Sequence, residues 1–262
     1  MISMEGVTKR YGDTTVVDAV DLVVPDGGVV ALIGPNGAGK STLLSIAGRL
    51  LDADAGRVLV DGDDVATTDS RTIATRLSIL RQENHVAVRL TVADLVAFGR
   101  HPHTGGHLGD EDRAACDAAI AAMGLEGFRG RRLDQLSGGQ RQRAFIAMVL
   151  AQETPHVLLD EPLNNLDLRH AAQTMDVVRR LADEHGRTVV VVLHDVNVAS
   201  HHADRIVAMR EGRVVADGRP GEVVTREVLR EVFDHDVEVV DVGGRPVALH
   251  FAASRSTAPE VA

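Results

Sequence analysis

The stretch GVVALIGPNGAGKST, residues 28–42, constrains this chain more than any other. Its first six residues are continuously apolar, the pattern of a strand buried on both faces in a parallel sheet. The next nine match the phosphate-loop pattern G-x-x-x-x-G-K-[ST]. Leu43, Leu44, Ala47 and Leu51 then recur at helical spacing, which predicts a helix over 41–51. Strand, glycine loop and helix make the first unit of a parallel α/β sheet. Gly34, Pro35, Asn36, Gly37, Ala38 and Gly39 let successive backbone N–H groups wrap a polyphosphate, and Lys40, Ser41 and Thr42 follow at the positive end of the helix. Lys40 supplies a point charge to the β- and γ-phosphates, and the Ser41 hydroxyl supplies a ligand for Mg²⁺. The loop reads as a nucleoside triphosphate site.

The charge balance bears on how that phosphate is held. Lys+Arg is 28 against Asp+Glu 38, a net charge of −10, which excludes nucleic-acid binding through a broad basic field. A backbone cradle with Mg²⁺ needs few side-chain charges. The only lysines are Lys9 and Lys40; every other cation is Arg. At Lys40 a compact ammonium fits between phosphate oxygens where a planar guanidinium would not. With 44% apolar and 25% charged residues over 262 positions, the chain is an ordinary globular protein with enough length for one large domain. A single cysteine, Cys116, rules out an intrachain disulfide. The longest apolar runs, such as residues 189–193, are strand-length and far short of the ~18–20 residues of a membrane helix. The opening MISMEGVTKRYG has no apolar signal core, so the expectation is an unsecreted chain that serves a membrane only from its surface.

Two further apolar runs, 157–159 and 188–193, end in Asp160–Glu161 and His194–Asp195. In doubly wound sheets functional groups sit where strands end, so three strands deliver polar residues to one crevice. Alternation over 2–7 and 16–24 predicts antiparallel strands joined near Gly12 and Asp13. Residues 91–151 carry helical runs at 92–98, 111–123 and 139–151 with glycine punctuation, and read as a helical subdomain inserted in the sheet. A helix over 225–233 and a hairpin around Gly243 and Gly244 close the fold, and 254–262 read as a solvated tail.

VLLDEP, residues 157–162, is a strand ending in paired acids. Asp160 would hold Mg²⁺, and Glu161 would polarise the water attacking the γ-phosphate. LSGGQ, residues 136–140, opens a helix with Ser137 as N-cap, while Gly138 and Gly139 free backbone donors beside Gln140. Such a helix start is a second phosphate-binding device.

Phosphate loop, LSGGQ and acid pair in this order resemble the ATP-binding subunits of ABC transporters over residues 2–240. The resemblance implies an α/β fold with a P-loop ABC ATPase core, an antiparallel β subdomain and an inserted helical subdomain (about 88–152) that bears the signature. It implies one domain over 1–252, with 253–262 as a disordered tail. It also implies ATP as substrate with Mg²⁺, Tyr11 stacking on adenine, Gln82 sensing Mg²⁺ and the γ-phosphate, and His194 contacting the γ-phosphate. Two copies would pair head to tail, each ATP lying between the Lys40 loop of one and Ser137, Gly138, Gly139 and Gln140 of the other. Asp167, after Asn165 and Leu166, falls where the family communicates across that dimer. His156 departs from the pattern, standing where an apolar residue is usual.

Finer stretches, RQENHVAVRLTVADLVAFGRHPHTGG (81–106), DEPLNNLDLRHA (160–171) and residues 189–218, resemble the ATP-binding subunits of ferric-siderophore importers. This implies a peripheral subunit on the cytoplasmic face of the membrane. It would energise transmembrane permease subunits, work indirectly with a siderophore-binding protein and use no nucleic acid. Helix 92–98 and a loop at 100–106 would line the permease dock. Haem, cobalamin or metal-ion import is the alternative cargo reading, and a soluble non-transport ABC ATPase the alternative class. His101, His103 and His107 have a spacing that a Zn²⁺ site could use, in a stretch with no completing Cys or acid.

Overall fold

The computed structural model describes residues 1–82 and 89–250. The tail expected at 253–262 and the boundary expected at 88 lie outside those residues, as does part of the stretch 81–106. A six-stranded sheet runs in spatial order β10 (Arg213–Gly218), β9 (Arg205–Arg210), β3 (Gly28–Ile33), β8 (Thr188–Val192), β7 (His156–Asp160) and β6 (Leu77–Leu80). Its strands are parallel from β9 to β6, with β10 antiparallel at the edge. The apolar run of β3 divides by the two-residue period of a strand. Val29, Ala31 and Ile33 enter one buried cluster, and Val30 and Leu32 enter another on the opposite face. Both faces are covered, which is why the strand carries no polar residue.

The first cluster is closed by helices α6 (Gly138–Ala151), α7 (Leu168–Asp183), α8 (Val196–His202) and α10 (Arg226–Phe233). The second is closed by α1 (Lys40–Ala47), α2 (Ser70–Arg76) and a four-stranded antiparallel sheet. That sheet has the order β2 (Thr14–Val24), β1 (Ile2–Tyr11), β4 (Ala55–Val60) and β5 (Asp63–Asp64). The expected first pair is therefore present, with its turn at residues 12–13. The helix expected to reach residue 51 ends at Ala47. Gly48 follows, where an added Cβ would lie 2.4 Å from the Ile79 side chain, and Arg49 takes a left-handed φ of 57°. Helix α7 is absent from the sequence reading, although Met175, Val178, Leu181 and Ala182 recur at helical spacing along its buried face.

Between β6 and β7 lie α3 (Val92–Phe98), α4 (His101–Thr104), α5 (Asp110–Ala122) and α6. Thr91 caps α3 by accepting from the Asp94 N–H at 3.1 Å, while Asp94 accepts from the Thr91 N–H at 2.9 Å. Residues 100–106, expected as a loop, contain the single turn α4. Arg71 holds it from α2, Nε donating to the Pro102 carbonyl at 2.8 Å and Nη2 to that of His103 at 3.0 Å. Arg100 is buried and joins the segment together: Nε donates to Asp112 at 2.9 Å, and Nη1 donates to the Ala151 carbonyl at 2.9 Å and to Glu153 at 2.7 Å. His103 Nε2 lies 2.8 Å from the Gln152 carbonyl oxygen. Among the described residues, the His and carboxylate atoms near enough to share an ion belong to Asp26, Asp61 and His156, not to the histidines at 101, 103 and 107.

His156 opens β7 and is buried, but it does more than fill the strand: its Nε2 lies 2.9 Å from Oδ1 of Asp61. The chain closes with α9 (Pro220–Val223), α10 and the hairpin β11 (Glu238–Val242) and β12 (Arg245–Leu249). Positive φ at Gly243 and Gly244 makes its turn. Among the described residues, no helix is long and apolar enough to cross a membrane.

Candidate active site

The glycines after β3 are set by backbone space as well as by φ. Gly34 has φ +146°, and a Cβ there would stand 2.1 Å from the Met209 carbonyl oxygen. Gly39 has φ +94°, and a Cβ there would stand 2.4 Å from the Val16 carbonyl oxygen. Helix α1 starts at Lys40 with glycine as N-cap, so no side chain takes its first N–H groups and they are left to the cleft. Asn36, Gly37, Ala38, Gly39, Lys40, Ser41 and Thr42 line that cleft together with Val16, Gln82, Glu161 and His194. Tyr11, about half exposed at the end of β1, lines its continuation with Ser41, Thr42, Gln82 and Asp160.

Parallel register brings β7 beside β8 and β8 beside β3, so Asp160, Glu161 and His194 arrive where the phosphate loop begins. Lys40 is buried, its Nζ donating to the carbonyls of Gly34 at 2.8 Å and Pro35 at 2.9 Å. Burial lowers its pKa, against the opposing pull of the Glu161 and Asp160 carboxylates. Ser41 Oγ donates to Asp160 Oδ1 at 2.8 Å. Burial raises the Asp160 carboxyl, and the Ser41 hydrogen bond opposes that rise. For Glu161 burial pushes upward too, but hydrogen bonds from His194, Asn164 and Gln82 outweigh it and hold the carboxyl below its ordinary value. His194 Nε2 is 2.8 Å from Oε1, while Gln82 Nε2 and Asn164 Nδ2 donate to Oε2 at 2.8 and 2.6 Å.

The donor set fits a hard cation. The Ser41 hydroxyl, the Asp160 carboxylate and the amide oxygen of Gln82 are all oxygen ligands of the kind Mg²⁺ takes while keeping several waters. Among the described residues, soft sulfur and clustered imidazole are missing from this corner of the cleft.

The remaining expected residues stand elsewhere in the chain. Ser137, Gly138, Gly139, Gln140 and Asp167 do not line the cleft. Ser137 and Gln140 form a reciprocal cap on α6, Ser137 Oγ accepting from the Gln140 N–H at 3.2 Å and Gln140 Oε1 from the Ser137 N–H at 3.0 Å. Asp167 caps α7, accepting from the His170 N–H at 2.8 Å. Gly139 packs on the turn after the acid pair: a Cβ there would lie 3.0 Å from the Asn165 carbonyl oxygen. Sequence reasoning missed Asn164, although it stands three residues after Glu161 in a Pro-containing turn, where a short amide can reach back to the acid.

A cradle, an acid pair and a histidine delivered by neighbouring parallel strand ends is the arrangement of a P-loop nucleotide hydrolase, and the capped LSGGQ helix narrows the class to ATP-binding cassettes. The ABC transporter family matches residues 17–164, and the chain belongs to it as an ATP-binding, ATP-hydrolysing cassette. It is 44% identical to the petrobactin import ATP-binding protein YclP of Bacillus subtilis over 252 residues, covering 96% of this chain and all of that one. It is 40% identical to the ferric enterobactin transport ATP-binding protein FepC of Escherichia coli over 262 residues, covering 98% of this chain and 96% of that one. Among solved structures, the dimeric ABC transporter cassette MJ0796 superposes with a TM-score of 0.77 at 32% identity, covering 84% of this chain and 98% of that chain.

Proposed function

We propose that this chain is the ATPase subunit that energises import of ferric siderophores, docked at the cytoplasmic face of a membrane on transmembrane permease subunits and working indirectly with a siderophore-binding protein. The observation that carries the reading is a cleft with Glu161 held between His194 and Gln82 at the mouth of the phosphate cradle, in a chain related along its length to siderophore import ATPases. Residues 1–252 act as one ATPase domain, with the helical segment of about 88–152 bearing the signature.

The backbone of residues 34–42 and the Lys40 ammonium bind the β- and γ-phosphates of ATP, and Tyr11 stacks on the adenine. Ser41, Asp160 and Gln82 would hold Mg²⁺, which when bound neutralises charge on the β- and γ-phosphate oxygens. Glu161 accepts the proton of the attacking water, and His194 contacts the γ-phosphate. Its low proton affinity keeps Glu161 ionised as a base at neutral pH. Ser137, Gly138, Gly139 and Gln140 of each copy face the triphosphate held by the other, with Asp167 at the seam, so the working unit is a head-to-tail homodimer. A single chain has its cradle and its signature in separate places, which supports this reading.

The test is ATPase activity of the complex reconstituted with its permease and binding protein. Ferric siderophore should stimulate hydrolysis, while haem, cobalamin and free metal ions should not. Stimulation by one of those instead would replace the cargo.

A further inference from the structure

Among the described residues, three side chains hydrogen-bond to Glu161, and they differ in what holds them. His194 reaches Oε1 from beyond the end of β8, and Gln82 reaches Oε2 from beyond the end of β6. Both belong to other strands, and both are residues assigned above to the γ-phosphate and metal. Asn164 reaches Oε2 from the same turn as Glu161, its Nδ2 donating at 2.6 Å.

That turn is tied along its main chain as well. The Asn164 N–H donates to the Glu161 carbonyl at 3.2 Å, so side chain and backbone both bridge residues 161 and 164. Glu161 sits at φ +50°, a conformation that an L residue keeps only where its surroundings impose it. Gln142 of α6 fastens the turn from outside by donating to the Pro162 carbonyl at 3.3 Å. Because both residues belong to one turn, the Asn164 contact does not depend on where β6 and β8 place Gln82 and His194.

We infer that Asn164 is a positioning residue for ATP hydrolysis: its amide holds Oε2 of Glu161 so that Oε1 is presented to the attacking water. This rests on the reading of Glu161 as the base. An amide is suited to the task because it donates without charge. A second carboxylate at this position would repel Glu161, and an alkyl side chain would leave Oε2 without the donor from its own turn. Positional errors of about 1 Å at a reacting centre can cost two orders of magnitude in rate.

The experiment compares Asn164→Ala, Asn164→Leu and Glu161→Gln in the full chain. It measures kcat, affinity for a fluorescent ATP analogue, and the fraction of ATP-bound dimer by size exclusion with Mg²⁺. Both Asn164 variants should lose tenfold or more in kcat, keep analogue affinity within twofold, and accumulate dimer as Glu161→Gln does. The uncharged, near-isosteric Asn164→Leu separates hydrogen bonding from packing, since a space-filling role predicts parental turnover for it. Turnover within twofold of the parent for either variant overturns the inference, as does a loss of affinity matching the loss of rate without dimer accumulation. If Asn164→Ala does not fold, Asn164→Leu decides by the same criteria. Parental turnover in Glu161→Gln would instead overturn the assignment of the base.

Discussion

Ser41 Oγ and Oδ1 of Asp160 meet at 2.8 Å, joining the first turn of α1 to the last residue of β7. The contact brings together two oxygen groups, proposed above to hold Mg²⁺, from elements far apart in the chain. Removing the hydroxyl with Ser41→Ala should leave ATP bound by the backbone cradle but weaken Mg²⁺. The Mg²⁺ concentration for half-maximal ATPase activity should rise about tenfold or more, the scale seen when a metal-site partner is lost. A Mg²⁺ titration of hydrolysis measures this, and an unmoved midpoint would rule Ser41 out as a ligand.

Glu161→Gln keeps the shape of the side chain and its contact with Asn164 but removes the proton acceptor. Turnover should fall about 10²–10⁴-fold, the range for loss of a general base, with ATP affinity retained and a dimer trapped. Phosphate release assays and equilibrium nucleotide binding on the same sample test both halves.

Gly39→Ala adds a methyl group that would stand 2.4 Å from the Val16 carbonyl oxygen at a φ of +94°. The backbone strain alone is worth ~1–3 kcal/mol, and the collision adds to it. Urea unfolding should show a loss of at least ~2 kcal/mol, accompanied by weaker ATP binding because the cradle is displaced. Stability equal to the parent would mean that the loop tolerates the shift.

His202, at the end of α8, has its pKa lowered by burial and by His201, against the opposing effect of Asp176. The folded chain therefore takes up this proton less readily than the unfolded chain. Its contribution to stability is fully present above about pH 6.5, the unfolded value, and is lost as pH falls through the lower folded value. Comparing urea unfolding at pH 7.5 and pH 5.5, His202→Gln should lose less stability on acidification than the parent. An identical loss in both proteins would show that His202 is not responsible.

The legible parts of the sequence were those whose cause is local. Residues 28–33 form the strand expected of them, because an unbroken apolar run needs burial on both faces. Ser137 is the N-cap read from its side chain and the helix behind it. The end of α1 falls short of residue 51 because Arg49 takes a left-handed φ of 57°, just after Gly48 packs against Ile79 of β6. The turn at 101–104 was read as a loop because the guanidinium that holds its carbonyls, Arg71, comes from α2.

By itself the sequence determined the chemistry available: a glycine cradle with one lysine, an acid pair after a strand, a capped LSGGQ helix and a lone histidine after a second strand. These follow from short-range pattern, in which each residue is read against neighbours a few positions away. Only the tertiary structure decided which of them meet. The sheet order β3-β8-β7-β6 brings Gln82 and His194 to the Glu161 carboxylate, while Ser137, Gln140 and Asp167 cap α6 and α7 away from the cleft. Strand order and register arise from packing between distant segments, and Asn164 became visible as the holder of Glu161 only once a turn had closed around both.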